Sequence, residues 1–172
     1  MWQGLVRAAV VAVAAAGLLV AAWVLWLRPA TVAAPQTPQY LNTSACLLTG
    51  ADGVTPGTPG ARAWRAIESA SLASHVMVSY LPAAGPADAP AMLNTLVERR
   101  CGVIVVTGAS RAQVASAAKA NPGHQFILVA SSAVAGPIAV PPNAVVVPPA
   151  DASGRIDQEV TALAGTARTG SA

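Results

Sequence analysis

From Ala45 to Ala164 the chain alternates short β-branched runs with stretches of helical period. That rhythm restricts it to βαβ units, and so to a parallel sheet covered by helices on both faces. Ala45-Cys46-Leu47-Leu48-Thr49, His75 to Leu81, Gly102 to Thr107, Gln125 to Ala130 and Ala144 to Val147 read as strands. Thr58 before Pro59 marks a helix start, a hydroxyl cap with proline in the first turn. That helix is expected to run to about Ala73, with Ala63, Ala66, Ile67 and Ala70 on one face. Asp88 is expected to cap a second helix carrying Met92, Leu93, Leu96 and Val97, and Ser110 a third that runs through Lys119 to the stop at Asn121-Pro122-Gly123. Ser131 to Asn143 reads as a loop, and Ser153 as the cap of a last helix with Ile156, Val160, Leu163 and Ala164 on one side. The expected fold is α/β, a small doubly wound parallel sheet of about five strands in the order 2-1-3-4-5, over residues 44–167. Residues 168–172 read as a disordered tail.

A second feature precedes this domain. Ala8 to Leu27 carries no charge and, as a helix, would be about 30 Å long, enough to cross a bilayer. Trp23 and Trp26 near one end suit an interfacial aromatic belt. Residues 1–28 therefore read as a transmembrane signal anchor, a cleaved signal peptide being the alternative. Residues 29–43, with Pro29, Pro35 and Pro38, read as a semi-rigid linker. The reading makes the cytoplasmic membrane a partner through residues 8–27 and puts the globular domain outside the cytoplasm.

The stretch CGVIVVTGASRAQVA, Cys101 to Ala115, has the outline of a dinucleotide-binding strand, turn and helix. After Gly108, however, the next two positions that need glycine hold Ala112 and Val114. Tyr80 has Ala84, not Lys, four residues on, so the proton-transfer pair of short-chain dehydrogenases is missing as well. No cofactor is expected. The formal charge is +3 with a single lysine, and no basic stripe carries interleaved aromatics, which argues against nucleic acid. His75 and His124 each open a strand and read as rim residues, not metal ligands. Asp157 and Glu159 lie two apart on a helix and point different ways, while Ser110 and Ser132 have neither a nearby base nor a nucleophile elbow. No catalytic residue is expected, and the chain does not read as an enzyme.

Ala45-Cys46-Leu47-Leu48-Thr49 with Gly53, Ala63-Trp64, Leu96-Val97-Glu98, Cys101-Gly102-Val103-Ile104, Gly108, Asn121-Pro122 and Gln125-Phe126-Ile127 form a series. In that series the chain resembles the amino-terminal lobe of the basic membrane protein family, nucleoside-receptor-type solute-binding lipoproteins of the type 1 periplasmic-binding-protein fold. The resemblance implies an extracytoplasmic solute-binding module, linked to ABC-type uptake or sensing. Two departures accompany it. The family has two lobes, and this chain ends where the second should begin. The family's ligand-contacting Asp falls on Gly50, and its Phe-Asn pair on Pro59 and Gly60. The alternative is a degenerate lobe that serves as a protein-interaction or structural domain. A lone lobe also exposes surface that a second would cover, so a homo-oligomer or a protein partner is expected.

In an open parallel sheet a ligand sits at the carboxyl ends of the strands near the switch point, here between the first and third. Gly50, Asp52, Thr55, Thr58, Gly108 and Ser110 would line that crevice, with the helix starts at Thr58 and Ser110 offering N–H groups. The same residues also read as plain helix caps. On the opposite rim, Cys46 opens the first strand and Cys101 immediately precedes the third. In the 2-1-3 order these strands are neighbours about 4.8 Å apart, within disulfide reach. The alternative is two buried free thiols; an oxidising compartment favours the bond.

Overall fold

The computed structural model describes residues 40–130 and 139–170. Five parallel strands, β1 (Leu41–Thr49), β2 (Val76–Pro82), β3 (Cys101–Val106), β4 (Gln125–Val129) and β5 (Ala144–Val147), lie in the order β2-β1-β3-β4-β5. Four helices cover them: α1 (Pro59–Ser74), α2 (Ala89–Glu98), α3 (Arg111–Ala120) and α4 (Ala152–Thr169). The expected transmembrane segment lies outside the described residues, as does most of the linker. No helix among the described residues is long and apolar enough to cross a membrane.

Alternation along the central strands divides the core in two. Ala45, Leu47, Val103, Val105 and Ile127 face α1 and α4, where Ile67, Ile156 and Val160 meet them. Leu48, Ile104, Val106, Phe126 and Leu128 face α2 and α3, where Leu93, Leu96 and Val114 meet them. Both faces of β1, β3 and β4 are buried, which is why these strands are continuous apolar runs. At the edge, β2 is half-exposed, and Tyr80 stacks edge-on against Trp64 of α1 at 5.3 Å.

Several boundaries differ from the sequence reading. β1 begins at Leu41, inside the expected linker, because Leu41 pairs with Val76 and its N–H donates to the His75 carbonyl at 2.7 Å. The polar Asn42 and Thr43 conceal that strand start from a hydropathy reading. His75 does not open β2. It closes α1 in the left-handed conformation, φ 61°, donating its N–H to Ser71 O at 2.8 Å, a conformation His tolerates better than most residues.

Asp88 precedes α2, but its backbone is already helical and its side chain makes no cap bond. Ser153 lies within α4, whose N-terminal flanking residue is Asp151, also helical in backbone and without a cap bond. α4 continues to Thr169, past the expected fraying point, and the Arg168 guanidinium donates to Ser74 O at 3.2 Å, tying the last turn of α4 to the end of α1. Between β4 and β5, Asn143 holds the start of β5: its side-chain amide donates to the carbonyls of Ala118, Asn121 and His124.

Candidate functional site

The carboxyl rim between β1 and β3 is where the sheet order reverses and where a ligand was expected. The backbones of the two loops meet there. A Cβ placed on Gly108 would overlap the Thr49 carbonyl group and the Gly50 nitrogen, while one on Gly50 would rest 3.9 Å from the Gly108 Cα. The Thr107 N–H donates to Leu48 O at 2.9 Å and continues the β1–β3 pairing into the turn. Gly50 and Gly108 thus come together as a backbone contact that fills the space between the strands.

Asp52, Thr55 and Thr58 lie together on the loop after β1, which folds as successive turns. The Thr55 hydroxyl donates to Asp52 O at 2.6 Å and the Thr58 hydroxyl to Thr55 O at 2.7 Å. Gly53 and Gly57 supply the positive φ angles, 58° and 91°, that these turns need. Thr58 also caps α1, its Oγ1 accepting from the Ala61 N–H at 3.1 Å. Asp52 is exposed at the loop tip. Ser110 stands apart from this group and forms a capping box: its Oγ accepts from the Gln113 N–H, and the Gln113 side chain accepts from the Ser110 N–H at 2.8 Å. The Gln113 amide then reaches Pro86 O at 2.7 Å, fastening α3 to the loop before α2. All six expected residues thus hold turns, caps or a backbone contact in place, Asp52 through its carbonyl oxygen alone.

One buried group is left over. The Thr49 hydroxyl at the end of β1 is fully buried and has no hydrogen-bond partner among the described residues.

A cavity of about 440 Å³ opens nearby, between the first turns of α1 and α4, with Val129 of β4 at its edge. Arg62, Arg65 and Ser69 of α1 and Ser153 of α4 bring its polar groups. The sequence signal was present, two arginines three apart in the first turns of α1, but only the α1–α4 contact turns them toward a shared hollow. A second hollow of about 400 Å³ separates α2 from α3, lined by Pro90, Asn94, Gln113 and Ser116 among small residues. Among the described residues no three His, Cys, Asp or Glu side chains gather at metal-binding range.

Within the sheet, the sulfur atoms of Cys46, inside β1, and Cys101, at the start of β3, are joined in a disulfide, with the Cα atoms 5.8 Å apart. Cys46 does not open its strand, since β1 begins earlier, and Cys101 is the first residue of β3. His124 lies beside this strand start, its Nδ1 2.9 Å from the Cys101 carbonyl oxygen.

No family model and no curated protein matches the chain. Among solved structures it is similar to a fragment of a proposed lipoprotein from Peptoclostridium difficile 630, at 16% identity and a TM-score of 0.54, over 72% of this chain and 97% of that one. It also resembles a 3-dehydroquinate dehydratase-like protein from Bifidobacterium longum at 13% identity and a TM-score of 0.47, over 70% of this chain and 98% of that one. The first likeness supports the α/β fold. Membership of the basic membrane protein family is not carried by any of these matches, and what stands of that resemblance is the fold.

Proposed function

We propose that the protein is a membrane-anchored extracytoplasmic module that binds a solute or a protein partner without catalysis. The observation that carries the extracytoplasmic part is the Cys46–Cys101 disulfide, since such bonds form and persist in oxidising compartments. The uncharged run from Ala8 to Leu27 supplies the anchor in this reading. The description of the structural neighbour as a lipoprotein agrees with it.

For the solute-binding reading, the α1–α4 cavity is a better receptacle than the β1–β3 crevice, which the Gly50–Gly108 contact fills. Two arginines in its lining, Arg62 and Arg65, suit a small anionic solute. A second reading, a lobe kept as an interaction domain alongside another copy or a separate lobe, is favoured by the caps that consume the Thr58 and Ser110 hydroxyls.

The test is a thermal-shift screen of the full chain in detergent against nucleosides, sugars, amino acids and small carboxylates and phosphates. A ligand at a hundred times its Kd adds about 2.7 kcal/mol and raises the melting point. Loss of that response in Arg62→Ala/Arg65→Ala supports the cavity. Silence across the panel leaves the interaction-domain reading in its place.

A further inference from the structure

All five strands are parallel, so their amino-terminal ends share one rim, and the carboxyl ends of the helices that cross back share it too. Arg99 and Arg100 stand there before β3, Lys119 in the last turn of α3 and Arg168 in the last turn of α4, all exposed. Glu98 is the one carboxylate at that rim among the described residues. The opposite rim carries Asp52, Asp88 and Asp151 together with Arg62, Arg111 and Arg155, so charges of both signs mix there and the cationic excess lies on the amino-terminal rim. Two of the exposed large hydrophobic residues also belong to the basic rim: Leu72 in the last turn of α1, 77% exposed, and Tyr40 before β1, 52% exposed.

The chain enters the domain at this same rim, at Tyr40. The uncharged run ends at Leu27, and residues 28–39 between them reach at most about 40 Å when fully extended. A tether that short favours the rim it enters, because the opposite rim could face a bilayer only if the tether ran back along the full height of the sheet.

We infer that the basic rim, with Arg99, Arg100 and Lys119 as its charges and Leu72 and Tyr40 as its apolar contacts, docks on the anionic phospholipid surface of the membrane that anchors the chain. The inference rests on the anchored reading proposed above. Tyrosine and leucine suit the headgroup boundary, and cationic side chains near an anionic bilayer add attraction that salt screens. Docking in this orientation turns the carboxyl rim, with the α1–α4 cavity and the Asp52 loop, away from the lipid and toward solutes or partners.

The experiment places a photo-cross-linking residue at Leu72 or, for comparison, at Thr55 in the full chain, reconstituted in vesicles of phosphatidylcholine with or without 30% phosphatidylglycerol (roughly a physiological anionic share). The expected result is a lipid adduct from position 72 at least several-fold above that from position 55, raised by phosphatidylglycerol. The triple variant Arg99→Gln/Arg100→Gln/Lys119→Gln should lower the adduct more than about fivefold, and high salt should lower it in the parent. Arg168 is left intact because it holds Ser74. Equal adducts at both positions, indifference to phosphatidylglycerol, or an adduct from position 72 to protein only would overturn the docking. Alkaline carbonate extraction of the same vesicles reads the anchor separately. A retained chain with equal adducts keeps the anchor and loses the docking, and an extracted chain with the expected adduct pattern does the reverse.

Discussion

Cys46 and Cys101 are bonded on the α2–α3 side of the sheet, although strict alternation back from Val105 and Val103 would turn Cys101 to the other side. The register explains it. Ser44 pairs with Cys101 and Ala45 with Val103, so Gly102 is an extra residue in β3, and the irregularity carries Cys101 over to the face of Cys46, Ile104 and Val106. Both cysteines are buried, at 1% and 0% exposure, so reductant should not reach the bond in the native state. Peptide mapping without reductant should recover the two cysteines as one linked pair, and alkylation of either in the native chain would count against the bond. Cys46→Ala/Cys101→Ala removes a cross-link across 55 residues and should destabilise the protein by about 4 kcal/mol in denaturant melts.

Gly102 has a second constraint on its other side. A Cβ there would press on the methyl groups of Leu163 in α4, the far end of a flexible side chain. Gly102→Ala should therefore cost about 1–2 kcal/mol. Leu163→Ala frees the space, so the double variant should be more stable than the two single losses predict, by at least about 0.5 kcal/mol. Simple additivity in urea melts would mean that the strand irregularity, and not Leu163, sets the need for glycine.

The helix starts should separate by their hydrogen bonds. Ser110→Ala breaks a reciprocal cap and should cost about 1 kcal/mol. Asp88→Ala removes no cap bond and should cost only the interaction of a charge with the α2 amino terminus, roughly 0.3–0.5 kcal/mol and smaller in high salt. Equal losses at the two positions would show that Asp88 caps α2 in solution.

The sheet order was legible because β-branched runs and helical periods follow one another with little ambiguity from Val76 to Val147. That order put the strands of Cys46 and Cys101 side by side, within disulfide reach, but left the bond and two buried free thiols both open. What stayed hidden was decided by backbone conformation and tertiary contact. Nothing in the letters of Leu41 to Thr43 shows that Val76 waits to pair with them, and Asp88 and Ser153 have cap chemistry but stand where the chain has already turned helical. For the candidate site, the residue types at the switch point were the expected ones. The cap roles of Thr58 and Ser110 were legible, but the use of Gly50 and Gly108 was not, because a glycine that leaves room for a ligand and a glycine pressed against another backbone are written with the same letter.

That difference can be measured at Gly50 and Gly108. A methyl group on Gly108 meets the Thr49 carbonyl and the Gly50 nitrogen, backbone atoms that cannot step aside without separating β1 from β3. Gly108→Ala should cost at least about 2–3 kcal/mol, in the range of an overpacked core. A methyl group on Gly50 meets the Gly108 Cα at 3.9 Å, an ordinary contact, and Gly50 has no positive φ angle to defend. Gly50→Ala should be neutral or stabilise by about 0.4–1 kcal/mol through the unfolded chain. Urea melts of the two variants read the asymmetry directly. A neutral Gly108→Ala would mean that the β1–β3 rim has room after all, and would return the ligand to the crevice that Asp52, Thr55, Thr58 and Ser110 border.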